Sequence, residues 1–346
     1  MSQTYKIRKG HNIKLIGDAP QKHLGAVASS TYAVSPLDFP GITPKLVVKA
    51  GTQVNAGDVL FYDKDRPEVL ICSPVSGEVT EIKRGAKRKI LQVIILADSD
   101  TKYADHGSFD LKSTNREATA AHFANTGVGA LITSRPYGVA ASMHELPRDI
   151  FVNGVQSGPL AGDLAYQLAG KETEVAAAIE ALSLMTAGKV YVSQDGDVPP
   201  LGLLSHEKAT SIQFTGKHPK GLVGTQIAQA APMNKGEIVW TVNAVDLPVI
   251  GHAFLTGSYA PTYRVAVAGS RAKNAGYATM TQGVGLSSFV STNINNDNTR
   301  MIAGDVLTGT TLEENGFLSF GKSQITAIPE GNSTEFFGWV LPGFGK

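Results

Sequence analysis

The stretch that decides the fold is Lys45 to Thr80, KLVVKAGTQVNAGDVLFYDKDRPEVLICSPVSGEVT. Its apolar residues are mostly β-branched and recur at the short spacing of half-buried strands. Gly51, Gly57 and Gly77 separate these strands, at turns where a residue without a Cβ can adopt positive φ. Short strands joined by tight turns bury their apolar faces only by wrapping around each other. The stretch therefore predicts a small β-sandwich or barrel.

Size and composition set limits on the rest. The 346 residues suggest two or three domains, and the 31 Lys and Arg nearly balance the 30 Asp and Glu. That balance argues against a nucleic-acid partner, which needs a clustered positive field. No apolar run reaches the ~20 residues that cross a bilayer, and the charged start lacks the apolar core of a signal peptide. We expect a soluble, intracellular protein.

The chain has one cysteine, Cys72, in a predicted strand. A single thiol forms neither an intramolecular disulfide nor a four-cysteine iron–sulfur or zinc site. We therefore predict that Cys72 is a small buried core residue. The histidines do not cluster, and no metal site or catalytic residue is predicted.

From residue 101 onwards, strands and helices alternate, which predicts a mainly parallel sheet with helices on its faces. The capping-box form at Thr114 and Glu117 predicts a helix to Asn125, and Gly188 is predicted as the left-handed residue that ends a second helix. Predicted segments are strands at 129–133, 150–152, 189–193 and 211–214 and helices at 174–187 and 219–231. From residue 245, strands at 264–268 and 278–280, a short helix at 285–290 and a strand at 299–302 follow the order of a β-grasp unit.

Two segments are candidate binding sites. His218, Gly221 and Gly224 belong to HPKGLVGT, a glycine-containing turn before a helix, whose free N–H groups favour an anion. The alternative is tight strand-to-helix packing, since neither a Walker loop nor G-x-G-x-x-G is present. Arg135, Pro136 and Tyr137 end a predicted strand, where ligands of open α/β sheets gather. Arg135 could bind an anion and Tyr137 could stack on a flat ring, or Pro136 could simply end the strand.

Two lysine-bearing turns have alternative interpretations. The glycine-spaced stretch resembles a biotinyl/lipoyl-type barrel, which carries a modified lysine on a hairpin, and Lys64 occupies that place. Its charged neighbours favour an ordinary turn instead. The basic run Lys83 to Lys89 is typical of a solvated turn, or of a contact for an acidic protein partner or the membrane surface beside it.

The order of these motifs along the chain resembles the NqrA family of the Na⁺-translocating NADH:quinone oxidoreductase. The motifs that carry the resemblance are Lys9-Gly10 with Ile13, Leu15, Gly17 and Pro20, Ser73-Pro74-Val75-Ser76-Gly77, Lys83 to Arg88, Ser134 to Tyr137, Ile150 to Val152, Gly188 to Val192, His218 to Thr225, and Phe337-Gly338-Trp339. Members are usually longer, so the resemblance implies a chain cut short after Lys346.

The resemblance implies an α/β multidomain fold. The expected parts are a biotinyl/lipoyl-like barrel sandwich at 1–100, a Rossmann-like α/β domain at 101–245, a β-grasp (SLBB-like) domain at 246–312 and a C-terminal extension at 313–346 that packs on the body. In such proteins the neighbourhood of Arg135 to Tyr137 is a suggested quinone contact.

The implied function is that of a peripheral component of the enzyme, on the cytoplasmic face of the bacterial inner membrane. The chain would hold no cofactor and have no activity alone, because FAD, FMN, riboflavin and iron–sulfur centres are expected on the partners NqrB to NqrF. NqrB is the expected main contact, and quinone the expected ligand. The alternatives are a carrier modified on Lys64 and an electron-transport protein related to RnfC.

Overall fold

The computed structural model describes residues 3–332 together with Phe337 and Val340. The predicted strand at 336–340 and the motif at 337–339 fall largely outside these residues. The first elements are β1 (Gln3–Ile7), β2 (His23–Val27), β3 (Thr31–Val34), β4 (Pro44–Leu46), β5 (Gln53–Val54), β6 (Val59–Asp63), β7 (Leu70–Cys72), β8 (Gly77–Arg84) and β9 (Ile90–Ala97). Strands β3, β9, β8 and β5 form one sheet and β4, β6 and β7 another, and both sheets contribute to one apolar core. This is the predicted sandwich, and Cys72 is buried in it as predicted.

The middle of the chain alternates helices and strands. Its elements are α1 (Arg116–Asn125), β10 (Thr133–Arg135), β11 (Val139–Ala140), β12 (Ile150–Gly154), α2 (Leu164–Leu168), α3 (Glu172–Ser183), β13 (Val190–Asp195), β14 (Ala209–Gly216), α4 (Val223–Ala230), β15 (Val239–Asn243) and α5 (Leu247–Thr256). Seven strands form one sheet in the order β1-β14-β13-β12-β15-β10-β11. The pairs from β1 to β15 are parallel, which confirms the predicted mainly parallel sheet.

Helices cover both faces of this sheet. Buried residues of α3 and α5 join the large core that continues into the sandwich. On the opposite face, Ile227 of α4 packs with Phe151, Ile212 and Phe214 in a second cluster. Strands covered on both faces need apolar residues on both, and β12 accordingly begins Ile-Phe-Val.

The last elements are β16 (Thr262–Ala268), β17 (Gly276–Thr281), α6 (Ser287–Asn293), β18 (Thr299–Ala303), β19 (Thr310–Leu312) and β20 (Gln324–Pro329). Their sheet has the order β19-β18-β20-β16-β17-β2. Strands β16 and β17 pair antiparallel, and a short helix and a returning strand follow, as predicted for a β-grasp unit. Strand β20 lies between β18 and β16 inside the sheet, so this part of the predicted C-terminal extension is an integral strand.

The chain start ties the parts together. Strand β1 pairs in parallel with β14 of the seven-stranded sheet, and β2 pairs in parallel with β17 of the β-grasp sheet. Residues 3–27 thus lie outside the two sheets of the sandwich, although the sequence groups them with it. The predicted domain boundaries at 100, 245 and 312 otherwise stay predictions.

Three local predictions are wrong. The strand predicted at 129–133 is a 3₁₀ helix (Val128–Leu131), and the strand begins only at Thr133. Asn115, not Thr114, caps α1, since its side chain accepts from the Ala118 N–H at 2.9 Å. Helix α3 ends before Gly188, where the chain passes so close to Arg148 that a Cβ would lie 2.0 Å from the Arg148 carbonyl oxygen.

Candidate functional site

A cleft opens where the strand order of the parallel sheet reverses. From β12 the chain proceeds outward through β13 and β14, then returns to place β15 on the other side of β12. In open α/β sheets this switch point, at the carboxyl ends of the strands, is where ligands bind. The cleft has a volume of about 280 Å³ and is lined by loops after β12 and β15 and by the β-grasp unit. We call it the switch-point cleft, and its polar lining residues are Asn153, Gln156, Ser157, His218, Asn243, Asp305, Thr308, Lys322, Ser323 and Gln324.

Ser157 and His218 meet in this cleft. The Ser157 Oγ lies 3.0 Å from Nδ1 of His218 and accepts a hydrogen bond from the Gly221 N–H at 2.9 Å. The His218 backbone is fixed in turn by the start of the chain, since its N–H donates to Oδ1 of Asn12 at 2.8 Å. The arrangement places a hydroxyl and an imidazole together on a clamped loop, able to donate to or accept from a neutral polar ligand.

Asn153 holds the same loop from the end of β12. Its Nδ2 donates to the Gly221 carbonyl at 2.9 Å, and its Oδ1 accepts from Nε2 of Gln226 at 2.9 Å. Gly221 must be a glycine here, because a Cβ would lie 2.6 Å from the Ser157 Oγ and 2.8 Å from the Val155 carbonyl oxygen. The predicted packing role of this glycine is therefore real, and it brings the loop into the cleft wall.

Gly224 has a different place. It lies in the first turn of α4 and is exposed, and no heavy atom lies within 4 Å of where its Cβ would be. The switch-point cleft is lined by His218 and Gly221 but not by Gly224.

An ion-pair cluster stabilises the loop that carries His218. The buried ammonium of Lys220 contacts the carboxylates of Asp195 at 2.6 Å and Asp197 at 2.8 Å. Burial lowers the pKa of Lys220, but the two carboxylates outweigh it and leave the pKa raised. The charge of Lys220 is therefore balanced inside the fold and is not available to an anionic ligand.

Arg135, Pro136 and Tyr137 lie at the opposite edge of the sheet. Strand β10 runs antiparallel to β15 and places Arg135 opposite Val239, at the amino end of β15. The premise that this strand ends at the ligand edge is wrong, because strand direction reverses between β15 and β10. Tyr137 is 77% exposed, and Nε of Arg135 is buried without a hydrogen-bond partner. We call these three residues the Arg135 ledge.

A second, smaller cavity of about 130 Å³ lies at the junction of the three parts and is lined by two carboxyl groups, Asp38 and Asp246. Burial raises the pKa of Asp246 to about 6, against hydrogen bonds from Tyr263 and Asn243. Burial also raises the pKa of Asp38 to about 6, against the Phe320 N–H and the charge of Lys322. The described residues include no cluster of three or more His, Cys, Asp or Glu able to hold a metal ion.

Lys64 is exposed on the hairpin between β6 and β7. That hairpin is docked: Arg66 pairs with buried Asp63 at 2.8 Å and donates to the Ala140 carbonyl, and Glu68 accepts from Ser142. A swinging carrier domain must present its lysine freely, whereas this turn is tied to the α/β domain. The carrier alternative is not favoured.

The site residues that sequence reasoning missed are Asn153, Ser157, Asn243, Asp305 and Lys322. Ser157 and His218 are 61 residues apart in sequence, so no local motif joins them. The available signal was the strand-to-loop step after Gly154, which in a parallel sheet marks the ligand edge.

The fold places the chain in the class of three-part proteins with a barrel sandwich, a doubly covered parallel α/β sheet and a β-grasp unit. Family models match all three parts: the NqrA N-terminal barrel-sandwich hybrid domain at residues 5–98, the NqrA second alpha/beta domain at 114–259 and the NQRA C-terminal domain at 264–314. The chain belongs to the NqrA family. These models confirm the fold class expected from the sequence.

Curated relatives agree, and each is the A component of a Na⁺-translocating NADH-quinone reductase. The protein of Hahella chejuensis is 30% identical over 345 residues, covering 99% of this chain and 77% of the relative. That of Haemophilus influenzae is 30% identical over 346 residues, covering 98% and 77%, and that of Vibrio atlanticus is 29% identical, covering 98% and 76%. Since the relatives are named for this component, the RnfC-related alternative is not favoured.

Among solved structures, the chain is similar to an NAD⁺-reducing [NiFe]-hydrogenase in the air-oxidised state. The TM-score is 0.43 at 13% identity, over 66% of this chain and 52% of the hydrogenase chain. A likeness at this level supports no conclusion about ligands. Among the described residues, no helix has the length and apolar character needed to span a bilayer.

Proposed function

We propose that the chain is the NqrA component of a Na⁺-translocating NADH:quinone reductase and works as a peripheral protein on the cytoplasmic face of the inner membrane. The observation that carries the proposal is the 30% identity to a relative of that name over 99% of this chain. The other Nqr subunits, chiefly NqrB, would be its partners. The chain would take part in NADH oxidation by quinone coupled to Na⁺ export without carrying the electrons itself.

The chemistry of the chain supports a cofactor-free role. Its one cysteine is buried, and burial raises the pKa of the Cys72 thiol to about 12, with a contribution from Asp58. A thiol of this kind does not supply the thiolate that an iron–sulfur centre needs. FAD, FMN, riboflavin and iron–sulfur centres would lie on the partner subunits.

The loop after β12 also lacks a phosphate cradle for a flavin nucleotide. Asp163 caps α2 with its own carboxylate, which accepts from the N–H groups of Ala165 at 2.9 Å and Tyr166 at 3.3 Å. A carboxylate already occupies the donors that a phosphate would use and repels it. Gly221, which could have offered a further N–H, donates to Ser157 instead.

The switch-point cleft supports a contribution to quinone binding. Val155, Leu222 and Val245 give it an apolar wall, and Ser157 and His218 offer polar groups beside it. A quinone head group is a flat apolar ring with two carbonyl acceptors, and this mixture of surfaces suits it. His218 and Gly221 stay candidates at this site. Arg135, Pro136 and Tyr137 would form a separate contact at the other edge of the sheet.

The test is co-purification of the tagged chain from its native host under mild detergent. We expect the other Nqr subunits to elute with it, and the same chain purified alone to be colourless. Recovery of the chain alone from membranes that contain the complex would overturn the assignment. Stoichiometric flavin on the isolated chain would overturn its cofactor-free part.

A photoreactive quinone added to the assembled complex tests the quinone part. Labelled peptides are expected from residues 153–161 and 217–222, with competition by unlabelled quinone. A His218→Gln variant should reduce the labelling and a Lys208→Gln variant, on the exposed surface, should not. Labelling confined to residues 133–140 would assign the contact to the Arg135 ledge instead.

A further inference from the structure

The hairpin between β8 and β9 ends in a concentrated positive charge. We call residues 83–89 the hairpin tip. Its five cations are exposed: Lys83, Arg84, Lys87, Arg88 and Lys89. No ion pair joins any of them to a carboxylate among the residues that the structure describes. With a net charge of +1 over the whole chain, this patch is a local feature of the surface.

The tip is an unsupported extension of its sheet. Strand β3 pairs with β9 at residues 93–96, and β5 pairs with β8 only at Gly77 and Glu78. From Lys83 and Gln92 onwards, β8 and β9 pair only with each other. The cations therefore lie at the end of a two-stranded arm and not in a cleft.

The turn at the tip keeps its charge at a conformational penalty. Lys87 (φ 53°) and Arg88 (φ 60°) are consecutive left-handed residues, and the Lys89 N–H donates to the Ala86 carbonyl at 3.2 Å. This is the backbone of a type I′ turn, for which Asn-Gly is the favoured pair. Lys and Arg meet a steric penalty there that Gly does not. A sequence chosen for the turn alone would not place the two cations at its centre.

We propose that the hairpin tip is a contact for the anionic headgroups of a phospholipid surface. Protein interfaces are depleted in lysine and use aromatic or large apolar anchors, and the exposed residues of the tip are Lys, Arg and Ala. A headgroup array requires positive charge without shape complementarity. The patch is also too small to track a nucleic-acid backbone, which requires an extended basic stripe.

This inference takes its biological setting from the proposed role in a membrane complex. It would add a second attachment to that complex: partner subunits would hold the body of the chain while the tip contacts the lipid beside them. The vesicle test below uses the purified chain without its partners. Failure of the lipid contact and failure of the proposed function are therefore distinguishable.

The test is sedimentation of the full chain with vesicles. Half the set contains 40% phosphatidylglycerol in phosphatidylcholine, and the other half is pure phosphatidylcholine. We expect binding to the anionic vesicles only, weakened strongly between 50 and 500 mM salt. Each cation near the surface contributes roughly a fivefold factor, so the double variant Lys87→Asn/Arg88→Gly should lose about 10- to 25-fold in binding.

The same variant should raise the melting temperature by about 2 °C or more, because Asn-Gly suits the turn. A merely structural role for these residues predicts the opposite sign or no change. Lys208→Gln/Lys235→Gln is the matched control: both lysines are exposed and form no ion pair among the described residues. This control removes the same charge from elsewhere and should keep the binding.

Equal binding to the two vesicle sets would overturn the proposal, as would an undiminished affinity of the tip variant. A loss of binding in the control as large as in the tip variant would show general electrostatic adsorption and would also contradict it. If the tip variant instead abolishes co-purification with the partner subunits while vesicle binding is absent, the tip is a protein contact and the lipid assignment is wrong.

Discussion

The switch-point cleft and the Arg135 ledge look alike in sequence and differ in the structure. Both follow a strand, and both contain a proline and a residue able to bind a polar ligand. The cleft lies at the carboxyl ends of parallel strands and is built by hydrogen bonds among Asn153, Ser157, His218 and Gly221. The ledge follows an antiparallel strand and exposes 77% of Tyr137. Strand direction, more than residue type, separates a built site from a surface turn.

The largest effect is expected from the buried carboxyl behind the cleft side of the sheet. Burial raises the pKa of Asp246 from 3.8 to about 6 in the folded state. The folded protein therefore binds more protons than the unfolded chain between these values. The stability from this protonation is fully present below about pH 4 and is lost as pH rises through 6.

Asp246→Asn should remove that loss. At pH 7.5 the variant is expected to exceed the wild type by up to about 3 kcal/mol in free energy of unfolding, and at pH 4 by little. Urea unfolding at the two pH values checks it. Asp197→Asn is the contrasting variant: hydrogen bonds from Lys220 and the Gly216 N–H lower the pKa of Asp197, so it should lose a little stability at pH 7.5. An Asp246 variant less stable than the wild type at pH 7.5 would contradict this prediction.

The two glycines of the HPKGLVGT turn form a matched pair. Gly221→Ala puts a Cβ 2.6 Å from the Ser157 Oγ and 2.7 Å from the Ser157 nitrogen, and should cost about 1–3 kcal/mol by overpacking. Gly224→Ala meets nothing within 4 Å on the first turn of a helix and should be neutral or stabilise by up to about 1 kcal/mol. Thermal unfolding compares them. Equal losses would show that Gly221 is not held against the cleft wall.

Ser157→Ala removes the hydroxyl shared by His218 and Gly221. We expect a loss of about 1–2 kcal/mol, because the Gly221 N–H is left without its acceptor. Quinone labelling of the loop at 217–222 should fall in the same variant. Ser205→Ala, at an exposed serine, is the control and should change neither. Unchanged stability of the Ser157 variant would mean that the loop is held by Asn153 alone.

The smallest effect is expected at the ledge. Tyr137→Ala changes a side chain that is 77% exposed, so its unfolding free energy should stay within about 0.5 kcal/mol of the wild type. Quinone labelling at the cleft should also be unchanged in this variant. A marked loss of that labelling would join the two regions functionally, although the sheet separates them.

Much of the fold was predictable because local signals suffice for it. Glycine-spaced β-branched residues predicted the sandwich, and helical spacing predicted α1 and α3 to within a few residues. The direction of β10 was not predictable, because a three-residue strand carries no signal of its partner. The role of Gly188 was misassigned for a related reason, since its need for glycine comes from Arg148, 40 residues earlier.

The candidate site was predictable only in part. His218 and Gly221 stood in a recognisable turn, whereas Ser157 and Asn153 become neighbours of that turn only once β12 and β14 occupy one sheet. Asp305 and Lys322 reach the cleft through the packing of the β-grasp unit on the α/β domain. Such contacts between distant segments follow from topology, which the spacing of residues within one segment does not specify.

The most direct test of the central claim is reconstitution of the enzyme. Membranes from a strain that lacks NqrA would be assayed for Na⁺-stimulated reduction of quinone by NADH, before and after addition of this chain. We expect little activity without the chain and a clear, saturable gain with it, while the chain alone oxidises no NADH. Full Na⁺-stimulated activity in the deficient membranes, or no gain on adding the folded chain, would contradict the claim.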